Sequence, residues 1–190
     1  WRPVFFVHDL IPITYPEYCR EQEQAQHQQR MLHILQTATA VLVNSQYTYD
    51  ELQTFAQQQQ LALPPTAVAW LSCDFAERTV NVAECGLLLK SNYFVMLSTI
   101  EPRKNHLTIL QVWRKLAEKY GDATPQLVLL GQQGWECEQV LDLLERAPAI
   151  RQHVVQLAIA SDDALVTVLK QARASIFASF VEGFGLPLVE

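Results

Sequence analysis

A chain of 190 residues, 49% hydrophobic and 18% charged, can bury one large core or two small ones and lacks the composition of a disordered segment. Its net charge of -6 comes without any Lys/Arg run, which excludes the electrostatic footprint of a nucleic-acid binder. No stretch approaches the roughly 18 apolar residues of a membrane-crossing helix, and Cys19, Cys73, Cys85 and Cys137 form no C-x-x-C pair and have no His at metal-ligand spacing; the expectation is a reduced, cytoplasmic protein with no metal.

The opening WRPVFFVHDLIP has neither an initiator Met nor a small-residue cleavage site. Val4–Val7 reads as a buried strand with no element before it, so the chain is expected to begin inside a larger protein. The Gln-rich stretches Glu21 to Gln29 and Gln57 to Gln60 read as solvated helix surface. Val41–Val43 and Ala67–Trp70 are the next strands, and Thr48-Tyr49-Asp50-Glu51 between them reads as a capping box opening the helix that carries Leu52 and Phe55. Residues 72–92 have no clear period, and the domain boundary is placed there.

Beyond it, Tyr93–Leu97, Leu127–Leu130, Val154–Leu157 and Ser175–Ala178 are predicted strands. Leu107, Leu110, Trp113 and Ala117 predict one face of a helix that Gly121 ends, and Leu165, Leu169 and Ala172 predict another, capped by Ser161 and followed by two acids. Apolar runs alternating with helical periods mark βαβ units and parallel sheets. The fold class is therefore α/β, with two partial domains over 1–80 and 81–190.

Two segments carry chemistry. In YFVMLSTIEPRKNH, residues 93–106, a strand runs into Pro102, Arg103 and Lys104 just before a helical stripe. Two cations beside the positive end of a helix dipole are unfavourable by ~0.3–1 kcal/mol each unless an anion sits there. Free N–H groups, a guanidinium and an ammonium at the end of a parallel strand together suit a phosphate. In SIFASFVEGFGLPLVE, residues 175–190, a strand ends in a turn whose Gly183 and Gly185 permit close approach or positive φ, and Pro187 suits the first turn of a new helix. Glu182 and Glu190 frame that turn. A carboxylate can accept two hydroxyls in fixed geometry, as proteins hold sugar diols.

The pair Glu182 and Glu190 resembles the E-x7-E motif of the family-4 glycosyltransferases, and Glu101-Pro102-Arg103-Lys104-Asn105-His106 resembles their E-P-R-K-N-H segment. Leu127-Val128-Leu129-Leu130-Gly131 and His8-Asp9-Leu10-Ile11-Pro12 are similar to two further family segments, in the same order. The resemblance implies a GT-B enzyme: two Rossmann-like domains, both incomplete in this chain, of the kind found in bacterial mannosyltransferases of surface polysaccharide assembly. By the same carry-over, Arg103 and Lys104 bind the donor diphosphate and stabilise the leaving nucleotide. Glu190 takes the ribose hydroxyls and Glu182 holds the donor sugar. Gly183, Phe184, Gly185 and Leu186 line the sugar and phosphate, Gly131 lies near the nucleotide, and His8 reaches the donor sugar from the other domain.

The implied function is retaining transfer of a hexose, mannose favoured, from a GDP- or UDP-sugar to a glycan or lipid-linked acceptor, with no cofactor required. The chain has no Asp-x-Asp clamp for a divalent cation, Asp162 and Asp163 being adjacent. Peripheral contact with the inner face of a membrane and self-association stay open. One departure from the family pattern is the absence of glycine from Ala69-Trp70-Leu71-Ser72-Cys73-Asp74. Two rival readings are a module that binds nucleotide sugar without turnover and a GT-B sugar-nucleotide epimerase, against which E-P-R-K-N-H with E-x7-E argues.

Overall fold

The computed structural model describes residues 1–72, 89, 92–157 and 161–189. The expected boundary over 72–92 therefore lies almost wholly outside the described residues, as do Cys73, Cys85 and Glu190. The chain divides into two compact units, Trp1–Cys73 with Val181–Val189, and Asp74–Phe180.

In the first unit, β1 (Val4–Val7), β2 (Ala40–Val43) and β3 (Thr66–Val68) pair in parallel in the order β1-β2-β3. The crossovers hold α1 (Ile11–Thr14) and α2 (Glu23–Thr37) before β2, then α3 (Gln46–Gln58) before β3. Alternation along the strands sends Val7, Val41 and Val43 into a core with Met31, Ile34 and Leu35 of α2 and Leu52, Phe55 and Ala56 of α3. On the opposite pleat of β1, Val4 and Phe6 remain exposed. The Gln-rich stretch of α2 is largely solvent-facing, as its composition predicts.

The start of α3 differs from expectation. The N-cap is Ser45, which accepts from the Thr48 N–H at 3.0 Å, in place of Thr48, the residue that opened the predicted capping box. Thr48 is consequently inside the first turn and fully buried. The physical reason is that Ser45 adopts extended backbone (φ -151°, ψ 162°) at the end of β2, the geometry an N-cap needs.

In the second unit, β4 (Tyr93–Leu97), β5 (Gln126–Leu130), β6 (Val154–Leu157) and β7 (Ala174–Ser175) form a parallel sheet in the order β6-β5-β4-β7. Both faces are covered. Met96, Leu127 and Leu129 meet Leu110 and Trp113 of α4 (His106–Tyr120), Val140 of α5 (Glu138–Arg146) and Ile150 of α6 (Pro148–His153). Tyr93, Val95, Val128 and Leu130 meet Val168 of α7 (Asp162–Gln171). All five residues of β5 are buried, as befits the interior strand of a doubly wound sheet.

Several predicted details hold and several shift. Ser161 caps α7 by accepting from the Ala164 N–H, and Leu165, Leu169 and Ala172 pack on the core. Gly121 ends α4. Leu107, predicted on the buried face of α4, is exposed, and His106 takes its place beside Leu110 and Trp113. The last strand is only Ala174–Ser175, with one further bond to β4 from the Ile176 N–H to the Val95 carbonyl. Pro187 leads a single 3-10 turn, Leu186–Leu188, instead of a longer helix within the described residues.

Candidate functional site

The winding of the second sheet singles out one place. From β4 the chain moves through β5 to β6 on one side, then returns to place β7 on the other side of β4. The carboxyl ends of β4 and β7 thus flank the point where strand order reverses, the usual ligand crevice of an open α/β sheet. Arg103 and Lys104 follow β4 in a 3-10 turn, Pro102–Lys104, that ends on Asn105 in left-handed geometry (φ 63°) before α4 starts. The two flanking loops bond each other, Asn105 Nδ2 donating to the Ala178 carbonyl at 3.2 Å and the Phe180 N–H to the Arg103 carbonyl at 3.0 Å. The backbone carrying the two cations is therefore tied to the segment after β7.

The charge conflict noted in the sequence has a partial internal solution. Arg103 Nη2 lies 2.9 Å from Glu101 Oε1, with both side chains mostly buried (19% and 17% exposed). The sequence assigned the balancing charge to a bound anion alone; Glu101 supplies part of it. Behind them His106 is buried, its Nε2 3.3 Å from Ser98 Oγ and its Nδ1 without a hydrogen-bond partner among the described residues. Burial first, and the charge of Lys104 second, hold its pKa down to about 4. A neutral ring there adds no third positive charge.

Gly131, directly after β5, sits beside this loop. A Cβ there would lie 2.0 Å from the Ser98 carbonyl oxygen, so only glycine lets the strand ends after β4 and β5 run this close. The close approach is to backbone, an explanation that requires no ligand.

In the first unit, His8 is exposed at the carboxyl end of β1, its ring 4.9 Å from that of Phe6. Asp9 turns the chain behind it, Oδ1 accepting from the Ile11 N–H at 3.1 Å, while His27 Nε2 lies 3.1 Å from the Asp9 carbonyl. The segment Val181–Val189 packs in this same unit. Gly183 is buried against His8, where a Cβ would stand 2.2 Å from the His8 carbonyl oxygen. Glu182 and Phe184 are half-buried, Leu186 is exposed, and Gly185 supplies positive φ (83°) ahead of the 3-10 turn. The structure thus brings His8 and Gly183 together within one unit, and groups Arg103, Lys104 and Gly131 around the loop after β4 in the other.

Sequence reasoning assigns no site role to Ser45 and Thr48, both of which meet the Gly183 carbonyl, Thr48 also meeting the His8 carbonyl and Asn44 Oδ1. The signal available for Ser45 is a Ser in N-cap position, three residues before the capping-box pattern. An open groove of ≈ 430 Å³ between α4 and α5, lined by Gln111, Arg114, Gln139, Asp142 and Arg146 among others, holds none of the predicted site residues. Among the described residues no group of three or more His, Cys, Asp or Glu is placed to hold a metal ion, and no helix is long and apolar enough to cross a membrane.

Two parallel-sheet units with cationic and glycine-rich loops at strand ends define the GT-B class of α/β protein. Comparison with known proteins is specific: the family described as "Glycosyl transferases group 1" matches residues 78–190, more than half of the chain. The chain belongs to the group 1 glycosyl transferases. It is 30% identical to the O-antigen chain mannosyltransferase B of Escherichia coli over its whole length, spanning 50% of that protein. It is 27% identical to the serotype-specific mannosyltransferase WbdA of Escherichia coli, with 98% of the chain spanning 24% of that protein. Among solved structures, HepE of Anabaena in complex with UDP and glucose superposes with a TM-score of 0.72 at 16% identity, covering 98% of this chain and 49% of that one. The chain thus spans a quarter to a half of the curated relatives it matches.

Proposed function

We propose that the chain is the nucleotide-sugar-binding part of a retaining hexosyltransferase that moves mannose from a nucleotide-diphosphate sugar to a glycan or lipid-linked acceptor in surface polysaccharide synthesis. The carrying observation is the placement of Arg103 and Lys104 in the turn after β4, at the reversal of strand order. Support comes from the two mannosyltransferase relatives and from the UDP bound by HepE.

In this reading residues 1–80 belong to the acceptor-side domain and 81–190 to the donor-side domain. Arg103 and Lys104 take the diphosphate, Gly131 lies by the nucleotide, and Glu182 with Gly183, Phe184, Gly185 and Leu186 holds the sugar, with His8 reaching it as well. Glu190, assigned to the ribose by its motif, completes the set. Cations aimed at a departing diphosphate stabilise charge that grows in the transition state, so they lower the barrier instead of only tightening binding. Retention follows from a front-face displacement, in which the acceptor hydroxyl attacks from the side the diphosphate leaves.

Glu101 refines the role of Arg103. Its carboxylate orients the guanidinium before a ligand arrives, which reduces the ordering cost of binding. Turnover of GDP-mannose or UDP-glucose with a mannan oligosaccharide, followed by release of nucleoside diphosphate, tests the transferase reading. Because the chain spans at most half of its curated relatives, a second reading is binding without transfer: it predicts tight nucleotide-sugar binding and no released diphosphate.

A further inference from the structure

Thr48 is an oddly placed hydroxyl. It lies in the first turn of α3 with no exposed surface, and its Oγ1 is 3.1 Å from the His8 carbonyl, 3.3 Å from the Gly183 carbonyl and 3.0 Å from Asn44 Oδ1. A helical Thr ordinarily turns its hydroxyl back to the carbonyl of the preceding turn. This one reaches two backbone carbonyls 40 and 135 residues away in sequence. Ser45 accepts from the Thr48 N–H and so satisfies the cap alone, while its own hydroxyl faces both the Gly183 carbonyl and Thr48 Oγ1.

Each hydroxyl has one proton to give. Thr48 Oγ1 therefore has three acceptors in reach, the His8 and Gly183 carbonyls and Asn44 Oδ1, and Ser45 Oγ lies 3.1 Å from it as well. The Gly183 carbonyl thereby occupies the positive end of α3, where a helix favours an acceptor. Gly183 meanwhile touches the His8 backbone so closely that no side chain fits between them. The buried Thr48 hydroxyl and the half-buried Ser45 hydroxyl therefore tie the end of β1 to the Glu182–Gly183 turn, a duty that capping α3 does not require.

We propose that Thr48, supported by Ser45, is a positioning residue for the sugar end of the donor site, fixing the His8 and Glu182–Gly183 backbones in one register. The proposal rests on the reading of His8 and Glu182 as donor-sugar contacts. It separates two tasks: the loop after β4 meets the diphosphate, and the Thr48 node governs what the sugar adds. Loss of the node should then change the sugar's share of affinity and leave the nucleotide's share alone.

The test is calorimetric titration of the chain with GDP and GDP-mannose, and with UDP and UDP-glucose. For Thr48→Val the gain in affinity from the sugar should fall by about tenfold, as for loss of an aligned polar contact, while GDP or UDP affinity stays near wild type. Thr48→Ser should restore the gain. Ser45→Gly, which sacrifices little capping, should shift the same ratio in the same direction, and amide exchange at Gly183–Gly185 should quicken in both node variants. Equal weakening of nucleotide and nucleotide sugar, or an unchanged ratio with unchanged exchange, overturns the positioning role. A wild-type chain that binds neither GDP nor UDP overturns the donor-site reading itself, a result distinct from a wild-type response that Thr48→Val leaves untouched.

Discussion

Arg103 and His106 show how one short loop and the helix start behind it limit the build-up of positive charge. Arg103 is paired with Glu101 at 2.9 Å, Lys104 stands beside it, and His106 stays neutral because burial and Lys104 both oppose its protonation. Replacing Arg103 by Ala should weaken GDP or UDP by about 1.5–3 kcal/mol in calorimetry, the range for a charge-assisted contact; unchanged affinity would remove it from the site. His106 makes a different prediction. Its folded pKa of about 4 lies below the unfolded value near 6.5, so between those values the unfolded chain binds the extra proton. Stability contributed by the neutral ring is full above about pH 6.5 and is lost as pH falls toward 4, by at most about 3 kcal/mol. Protonation would also bury a second ring N–H where Nδ1 has no acceptor among the described residues. The drop in urea midpoint from pH 7 to pH 4.5 should therefore be smaller for His106→Gln than for wild type.

Among elements, helices read best where cap and period agree. Ser161 and the stripe of Leu165 and Leu169 point to one register for α7, and the structure adopts it. Ser161→Ala should cost about 1 kcal/mol in thermal or urea unfolding. Strands β1, β4 and β6 have the bounds that their apolar runs predict. At α3 two caps compete within a single turn, and the winner depends on how β2 delivers the chain to Ser45, which no local pattern encodes. Likewise the predicted α4 stripe wrongly includes Leu107 and omits His106, because the buried face is turned by contacts with β4 and by Ser98. Motif glycines were legible as points of close approach, but what approaches was not: the sequence suggests a ligand, and the structure puts His8 backbone at Gly183 and Ser98 backbone at Gly131. Gly183→Ala should destabilise the first unit by about 1–3 kcal/mol, through a forced backbone shift.

At the scale of the whole molecule, a doubly wound sheet covered on both faces accompanies a three-stranded sheet whose β1 shows Val4 and Phe6 to solvent. Membership in the group 1 glycosyl transferases rests on residues 78–190. The central claim is that Arg103 and Lys104 hold the diphosphate of a nucleotide sugar. Titration of GDP-mannose and UDP-glucose into the wild-type chain and into Arg103→Ala with Lys104→Ala tests it most directly. The account predicts saturable binding of at least one of these sugars to wild type and a loss of about a hundredfold or more in the double variant, as removal of two charge-assisted contacts of about 1.5 kcal/mol or more each implies; binding of equal strength in both chains would contradict it.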